Sequence, residues 1–383
     1  MKIVYLAQSA IPSRTANSIH IMKMCQALAS NGHDVHLCFF MESDNKDFDC
    51  TDVFNYYGIK NNFHITKIGT FPIRNSRIRY LLSSLFLLPL LFNTLRKIKP
   101  DLVYSRDIYT CCLSSFFGHA VVVESHAPLW QGMLEAVSFQ LLTQQRKFLR
   151  LVVITDALRE AYLAHYPKLD PEKIIVAHDG ADPVNLSFIG KRIVGRAGVL
   201  QVGYVGHLYD GKGVEVIEAV APLMRHVDFH IIGGLERDIR RWRQRIGGNN
   251  VIFHGFVPQG DLSEYIAGLD VCLLPNQYKV KAYGESSGRR ENDIAKFTSP
   301  LKMFDYMAHG KVIIASDLSV LREVLTEELA LFVTPDDFSG WIVAIDTLQD
   351  ATLREKLGKE CKNKFLSEYT WATRAQRVLA GLP

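Results

Sequence analysis

A strong charge of either sign is missing from this chain. Its 44 lysines and arginines stand against 40 aspartates and glutamates, a formal balance of +4 over 383 residues. So small an excess provides no basic stripe for a polyanion, although it tolerates an anionic partner or surface. Trp130, Trp242, Trp341 and Trp371 are not interleaved with bases, so packing is their expected role and nucleic acid is not an expected partner. Cysteine is sparse and scattered: Cys25, Cys38, Cys50, Cys111, Cys112, Cys272 and Cys361 are odd in number and form no Cys-x-x-Cys pair. That pattern excludes a disulfide scaffold and leaves reduced structural thiols in a cytoplasmic protein as the expectation. Met1 to Ala7 reads as a first buried strand, without the length or cleavage site of a signal peptide. The Walker loop, the Gly-x-Gly-x-x-Gly fingerprint and the His-Glu-x-x-His zinc motif are all absent. His33 and His36 stand three apart without further ligands at a metal-like spacing, so no required metal and no cofactor is expected.

Long apolar runs are also short of the membrane-spanning length. Leu81 to Phe92 is nearly all apolar but too short to cross a hydrocarbon layer of roughly 30 Å as a helix. Arg74, Arg77 and Arg79 precede it, and Arg96, Lys97 and Lys99 follow it. Two readings stay open: a helix buried in a large domain, or a patch lying on an anionic membrane surface.

What the chain does contain is βα alternation, repeated over a length that exceeds one ordinary core. Lys2–Ala7, Val35–Phe40, His64–Lys67, Leu102–Ser105, Val121–Glu124 and Leu151–Ile154 read as strands of a first domain. A helix from about Ser18 to Ser30, capped by Asn17 or Ser18, separates the first two. A second α/β unit begins near Gly198, with strands at Gln201–Val205, Asp228–Ile232, Val251–His254, Val271–Leu274, Val312–Ala315 and Leu331–Val333. Continuous apolar strands separated by helices imply parallel sheets covered on both faces. Ala181 to Ala197, mixing glycine, proline and bases, is the expected connector, and Asn276 to Lys296 reads as a polar, mobile loop.

Three segments carry candidate chemistry. Gly206-His207-Leu208-Tyr209-Asp210-Gly211-Lys212-Gly213 follows a strand and opens a helix, where glycines and unpaired amides can receive phosphate and Lys212 adds charge. The alternative is an ordinary strand-turn-helix with a surface lysine. Ser299-Pro300-Leu301-Lys302-Met303-Phe304-Asp305 starts a second helix, with Ser299 as cap, Pro300 at the first position and Gly310 at its end. Leu301, Phe304 and Ala308 are expected inside, leaving Lys302 and Asp305 as neighbours. Asp305 can accept two ribose hydroxyls, or the pair can be a solvent salt bridge. Glu124-Ser125-His126 closes a strand at its C-terminal end, where ligands collect in open α/β sheets. His126 can serve a ligand or only a backbone carbonyl, and Glu124 can orient its ring. Ser125 lacks the glycine elbow of a nucleophile.

These segments resemble the retaining, nucleotide-sugar-dependent glycosyltransferases of family four. The matching residues are Gly206 to Gly213, Ser299 to Asp317, Ile232-Gly233-Gly234, His254-Gly255-Phe256-Val257 and Asp270 to Pro275. The resemblance spans essentially the whole chain and is strongest in its second half. It implies an α/β fold of the GT-B type, two facing Rossmann-like domains with a cleft between them. Residues 1–183 would form the acceptor domain, 184–363 the nucleotide-sugar domain, and a helix at 364–383, with Phe365, Tyr369 and Trp371, would pack back on the first. His126, Lys212 and Lys302 are the implied catalytic residues. Arg14, Ala16, Asn17, Arg106, Glu124, Gly206, His207, Ser299, Pro300, Leu301 and Asp305 are the implied substrate contacts. The partners implied are a nucleoside diphosphate sugar and a saccharide or lipid-linked acceptor, in polysaccharide or glycolipid synthesis on the inner membrane face. The chain departs from the family pattern at Phe297, where a first glutamate is usual, and at His207, where a base often stands. Lys302 and nearby amides would compensate. The Asp-x-Asp metal pair of the other common glycosyltransferase fold has no match, since Asp270 stands alone. Other GT-B chemistries, epimerase or phosphorylase, and a silent nucleotide-sugar-binding protein are the alternatives.

Overall fold

The structure is a computed structural model describing residues 1–383 except 10, 14, 43–49, 72–76, 187–189, 191, 194 and 280–294. Side chains at 40–42, 50–52, 69–71 and 77–87 also lie outside the description. The chain divides into two compact units, Met1–His178 with Trp371–Pro383, and Asp179–Thr370.

The first unit holds a seven-stranded sheet of β1 (Lys2–Ala7), β2 (Asp34–Glu42), β3 (His64–Phe71), β4 (Leu102–Ser105), β5 (Ala120–Ser125), β6 (Phe148–Val153) and β7 (Ile174–Val176). Their order across the sheet is β3-β2-β1-β4-β5-β6-β7, all parallel. The strands are apolar on both faces, as the helix-covered parallel arrangement requires: Ile3, Val4, Tyr5 and Leu6 are buried without alternation. The order reverses between β1 and β4, which creates the crevice where ligands of open sheets sit. β7, three residues long, had no signal strong enough to be read from the sequence.

The second unit holds a six-stranded parallel sheet of β8 (Leu200–Val205), β9 (Val227–Ile232), β10 (Val251–Gly255), β11 (Val271–Leu274), β12 (Val312–Ser316) and β13 (Ala330–Val333). The order is β10-β9-β8-β11-β12-β13, with its reversal between β8 and β11. One buried cluster includes Val202, Trp242, Val271, Ile314 and Trp341, and the other includes Cys272, Phe304, Ile313, Cys361 and Phe365. Cys272 and Cys361 are buried free thiols, as are Cys25, Cys38, Cys111 and Cys112.

Several local expectations are corrected. Thr15, not Asn17 or Ser18, caps the Ala16–Ser30 helix by accepting the Ser18 amide. Ser299 does not cap the Leu301–Ala308 helix; its Oγ accepts the Asp179 N–H at 3.0 Å, and Pro300 takes the cap position. That bond and the Ala181–Thr370 bridge draw residues 179–183 and 364–370 into the second unit, where Phe365 and Tyr369 join its core. Only the stretch from Trp371 onward returns to the first unit. The Arg77–Ile98 helix contains the apolar run, and no helix among the described residues is long and apolar enough to cross a membrane. Of its described side chains, Leu91 and Leu95 are buried while Leu90 and Phe92 are exposed, so the run is neither wholly core nor wholly surface. Arg14 and Arg74 lie outside the described residues, as do the side chains of Arg77 and Arg79.

The packing of the Ala351–Glu368 helix is close enough to test. A Cβ at Gly358 would sit 2.2 Å from the Gly310 carbonyl oxygen. Helix propensity favours alanine over glycine by about 1 kcal/mol, but a backbone carbonyl cannot swing aside. Gly358→Ala should therefore destabilise by about 1–3 kcal/mol, read as a lower denaturant midpoint. A raised midpoint would show that the contact relaxes.

Candidate active site

In the first unit, the polar groups gather at the C-terminal ends of β1, β4 and β5. Glu124 is the next-to-last residue of β5, and its side chain is fully buried. Arg374, from the Trp371–Leu379 helix and 2% exposed, donates Nη2–H to Glu124 Oε1 at 3.0 Å and Nη1–H to Oε2 at 3.3 Å. The Tyr104 hydroxyl donates to Oε2. His126 donates Nε2–H to Oε1 at 2.5 Å, and His20 Nε2 lies 2.7 Å from the same oxygen. Burial alone would raise the Glu124 carboxyl, but Arg374 first, then His20 and the histidine hydrogen bonds, hold it well below its ordinary range.

This arrangement fixes the state of His126. A carboxylate only accepts, so the ring proton stands on Nε2 and leaves the Nδ1 lone pair available. Burial, then the Arg106 guanidinium, push its pKa down to about 4, against the opposing pull of Glu124, so the ring is neutral at pH 7. Its side chain keeps 18% exposure, enough for a ligand to reach. His20 meets it edge-on at 4.8 Å, and Trp371 meets His20 edge-on at 5.1 Å. Arg106 donates to Asn17 Oδ1, and Asn17 Nδ2–H donates to Ser9 Oγ at 3.2 Å. Ala16 is exposed beside it. Ser125 donates to the Ala127 carbonyl and meets the Tyr162 hydroxyl at 2.8 Å, a structural role.

In the second unit, the glycine segment follows β8 as expected, but three of its amides are already engaged. Glu215 accepts the Gly211 N–H at 3.2 Å and the Gly213 N–H at 3.1 Å, and the Lys212 N–H bonds the Tyr209 carbonyl. A glutamate in the first helical turn has taken two of the donors expected for phosphate. Gly213, at φ +97°, lies where a Cβ would meet the Pro275 carbonyl at 2.0 Å, so the segment is clamped against the end of β11.

The lysines behave differently. The Lys302 Nζ sits 3.8 Å from the centre of the Tyr204 ring and is buried with no hydrogen-bond partner among the described residues. The expected Lys302–Asp305 neighbourhood is therefore not a salt bridge; the helix turns Lys302 towards β8 instead. A Cβ on Gly206 would lie 3.8 Å from that ammonium. Burial, then Lys212, push Lys302 well below the usual lysine range. Burial lowers Lys212 to about 8, and its Nζ stands 5.3 Å from the Tyr209 ring centre. Burial, then Lys212, also lower His207. Three cationic or protonatable groups thus face one another at the switch point of the second sheet. Such a cluster fits an anion that brings the missing negative charge. Ser299 is buried, while Pro300, Leu301, Asp305 and Phe297 are half-buried at the same helix start. Leu301 is thereby less enclosed than expected, and Met303, Phe304, Tyr306 and Met307 fill the core face.

Sequence reasoning missed His20, Tyr104 and Arg374. Arg374 was detectable: it interrupts the apolar stripe of Trp371, Ala375 and Val378, and a charge in such a stripe needs a buried partner.

Two glycosyltransferase family models match the chain, Glycosyltransferase Family 4 over residues 18–184 and Glycosyl transferases group 1 over residues 200–350. No curated protein matches it. Among solved structures, HepE from Anabaena, in complex with UDP and glucose, has a TM-score of 0.69 at 15% identity, over 100% of this chain and 99% of that one. Sucrose-phosphate synthase from Thermosynechococcus elongatus reaches 0.71 at 16% identity, over 98% and 96%. The lipopolysaccharide outer core galactosyltransferase WaaB, in its apo form, reaches 0.65 at 15% identity, over 99% of each chain. At those identities the structures establish the fold, and the two family models establish the kind of enzyme. The chain is a glycosyltransferase with the GT-B fold, its two halves matching the family 4 and group 1 models respectively.

The Glu124–Arg374 pair makes a stability prediction. Arg374→Met leaves a buried carboxylate without its main counter-charge and should cost about 3–5 kcal/mol. The folded pKa of Glu124 is depressed below its ordinary 4.5, so its contribution is present above that pH and lost on acidification. Melting temperatures of the wild type should therefore fall more steeply below pH 4.5 than those of Glu124→Gln. Parallel acid limbs would remove the pair from the stability account.

Proposed function

We propose that the protein transfers a glycosyl unit from a nucleoside diphosphate sugar to a hydroxyl of a saccharide or lipid-linked acceptor, with retention at the anomeric carbon. The observation that carries this reading is the buried Lys302 ammonium, beside Gly206 and within electrostatic reach of Lys212, without a hydrogen-bond partner among the described residues. A donor diphosphate supplies that charge, and as the leaving group it develops more of it in the transition state, where fixed cations stabilise most. Gly206, His207, Ser299, Pro300 and Leu301 surround the same helix start and strand end. Asp305 is the ribose acceptor in this reading. UDP is the first nucleotide to test, because HepE was solved with it.

In the first unit, His126 offers a neutral ring to a sugar hydroxyl, and Glu124 positions it. Arg106, Asn17 and Ala16 form the acceptor side. Both Glu124 oxygens are engaged by Arg374, Tyr104 and the histidines, which makes it a poor double-displacement nucleophile. Front-face displacement, with the leaving phosphate accepting the incoming hydroxyl proton, therefore fits these residues best. A site in polysaccharide or glycolipid synthesis at the cytoplasmic membrane face completes the reading. Exposed Leu90 and Phe92 followed by exposed Arg96, Lys97 and Lys99 favour an anionic lipid surface as the docking partner.

Nucleotide titrations test the donor site. Lys212→Ala and Lys302→Ala should each weaken UDP binding by about 1.5–3 kcal/mol, the range for hydrogen bonds to charged groups. Both lysines have lowered pKa values, so a bound diphosphate must draw protons back onto them. Calorimetry in buffers of different ionisation heat should record proton uptake, and affinity should fall as pH rises through about 8. Undiminished binding in both variants would place the donor elsewhere. Product anomers, followed by NMR from a UDP-sugar panel, decide retention against inversion.

The membrane reading has its own measurement. Leu90→Ser with Phe92→Ser and Lys97→Gln should reduce sedimentation with anionic liposomes while turnover of a soluble acceptor is kept. Equal binding to neutral and anionic vesicles, unchanged by these substitutions, would remove the anionic lipid partner.

A further inference from the structure

The reading that His33 and His36 define no metal site rested on spacing along the chain, whereas the register of the first sheet gives His36 other neighbours. Lys2 pairs with Asp34 between β1 and β2, and His36 pairs directly with His64 between β2 and β3. Side chains two apart on a strand share a face, so Asp34 and His36 point the same way, and the cross-strand partner of His36 joins them. The His36 and His64 rings stack with centres 4.6 Å apart and planes 26° apart. His36 Nε2 lies 3.1 Å, and His64 Nε2 3.9 Å, from the same oxygen, Asp34 Oδ1. The three ligand atoms fall within 4.8 Å of one another.

We propose that Asp34, His36 and His64 form a site for a divalent transition-metal ion of the zinc, nickel or copper type, bridging the edge strand β3 to β2. Metal–nitrogen and metal–oxygen bonds of about 2.0–2.2 Å put tetrahedral ligand atoms roughly 3.4 Å apart, so the present separations need only small side-chain rotations. Two imidazoles and one carboxylate suit this class of metal and leave a coordination position for water. His36 Nε2, the nitrogen facing Asp34 Oδ1, is its ligating atom in this arrangement. On binding, its Nε2 proton moves to Nδ1, with no net loss from the ring.

The position separates this site from the sugar chemistry. His64 opens β3 and His36 is the third residue of β2, at the N-terminal edge of a parallel sheet whose Glu124 and His126 lie at the C-terminal edge. An ion here ties down the edge strand and takes no part in transfer. The other carboxylate-histidine cluster of this unit, His20, Glu124 and His126, is a poor competitor, because the Arg374 guanidinium already occupies the carboxylate. Lys2 opposes the new site: its Nζ stands 3.9 Å from Asp34 Oδ2, the oxygen turned away from the imidazoles.

The test uses the untagged full-length chain, stripped with chelator and titrated with zinc chloride by calorimetry at pH 7.5, with cobalt absorption as a geometry probe. One saturable ion per chain is expected, with zinc raising the melting temperature. His36→Ala and His64→Ala should each weaken binding by roughly tenfold or more and abolish the zinc-dependent shift. His64 is 69% exposed, so its variant should fold and melt normally without metal. Lys2→Gln should tighten binding, and His126→Ala should leave it unchanged. No saturable binding by the wild type, or unchanged binding in the His36→Ala, His64→Ala double variant, would overturn the proposal. A loss on His126→Ala would equally overturn it by moving the ion to the other cluster.

Discussion

A carboxylate removed from water must find its balance inside the protein, and Glu124 finds it in a residue 250 positions later. Arg374 spends its guanidinium on both Glu124 oxygens and on the carbonyls of Ala177 and His178. The same contacts join the end of β5 to the point where the chain leaves the first unit and to the helix that returns to it. Arg150 adds bonds to the carbonyls of Val378 and Ala380, and Asn31 adds one to Ala372. The terminal helix is therefore part of the unit's interior. Without Arg374, desolvation would drive Glu124 towards protonation, and the charge that strengthens its hold on the Nε2–H of His126 would be lost.

The second unit shows the opposite situation. The Leu301–Ala308 helix turns the Lys302 Nζ into a buried corner over Tyr204 of β8, where it has no hydrogen-bond partner among the described residues, and half-buried Lys212 lowers its pKa further. Glu215 is close in sequence, but its oxygens are engaged by Gly211 and Gly213. A protein that buries a lysine beside a second one gives up stability there unless another molecule restores the charge. The balanced site holds a ring still; the unbalanced one is ready for an anion.

Much of the fold was legible because parallel sheets demand it. Runs such as Val121–Val123 and Val271–Leu274 are apolar on both faces, and that continuity is the imprint of helices above and below. Glycines were legible where backbone geometry requires them, as at Gly206 and Gly213. Helix caps were read less well. Asn17 is by type a slightly better cap than Thr15, and the entry direction of the chain decides for Thr15. Ser299 carried a cap signature, yet its hydroxyl met the Asp179 amide first.

The sequence by itself determined the two α/β units, the places where loops leave the strands, and the residue types that gather there, because these follow from local periodicity and glycine stereochemistry. Only the tertiary structure decided which groups meet. Arg374 with Glu124, Lys302 with Tyr204, and His36 with His64 are pairings set by strand order, register and chain return. No local pattern encodes them, since a one-residue change of register would redirect every side chain of a strand to its other face.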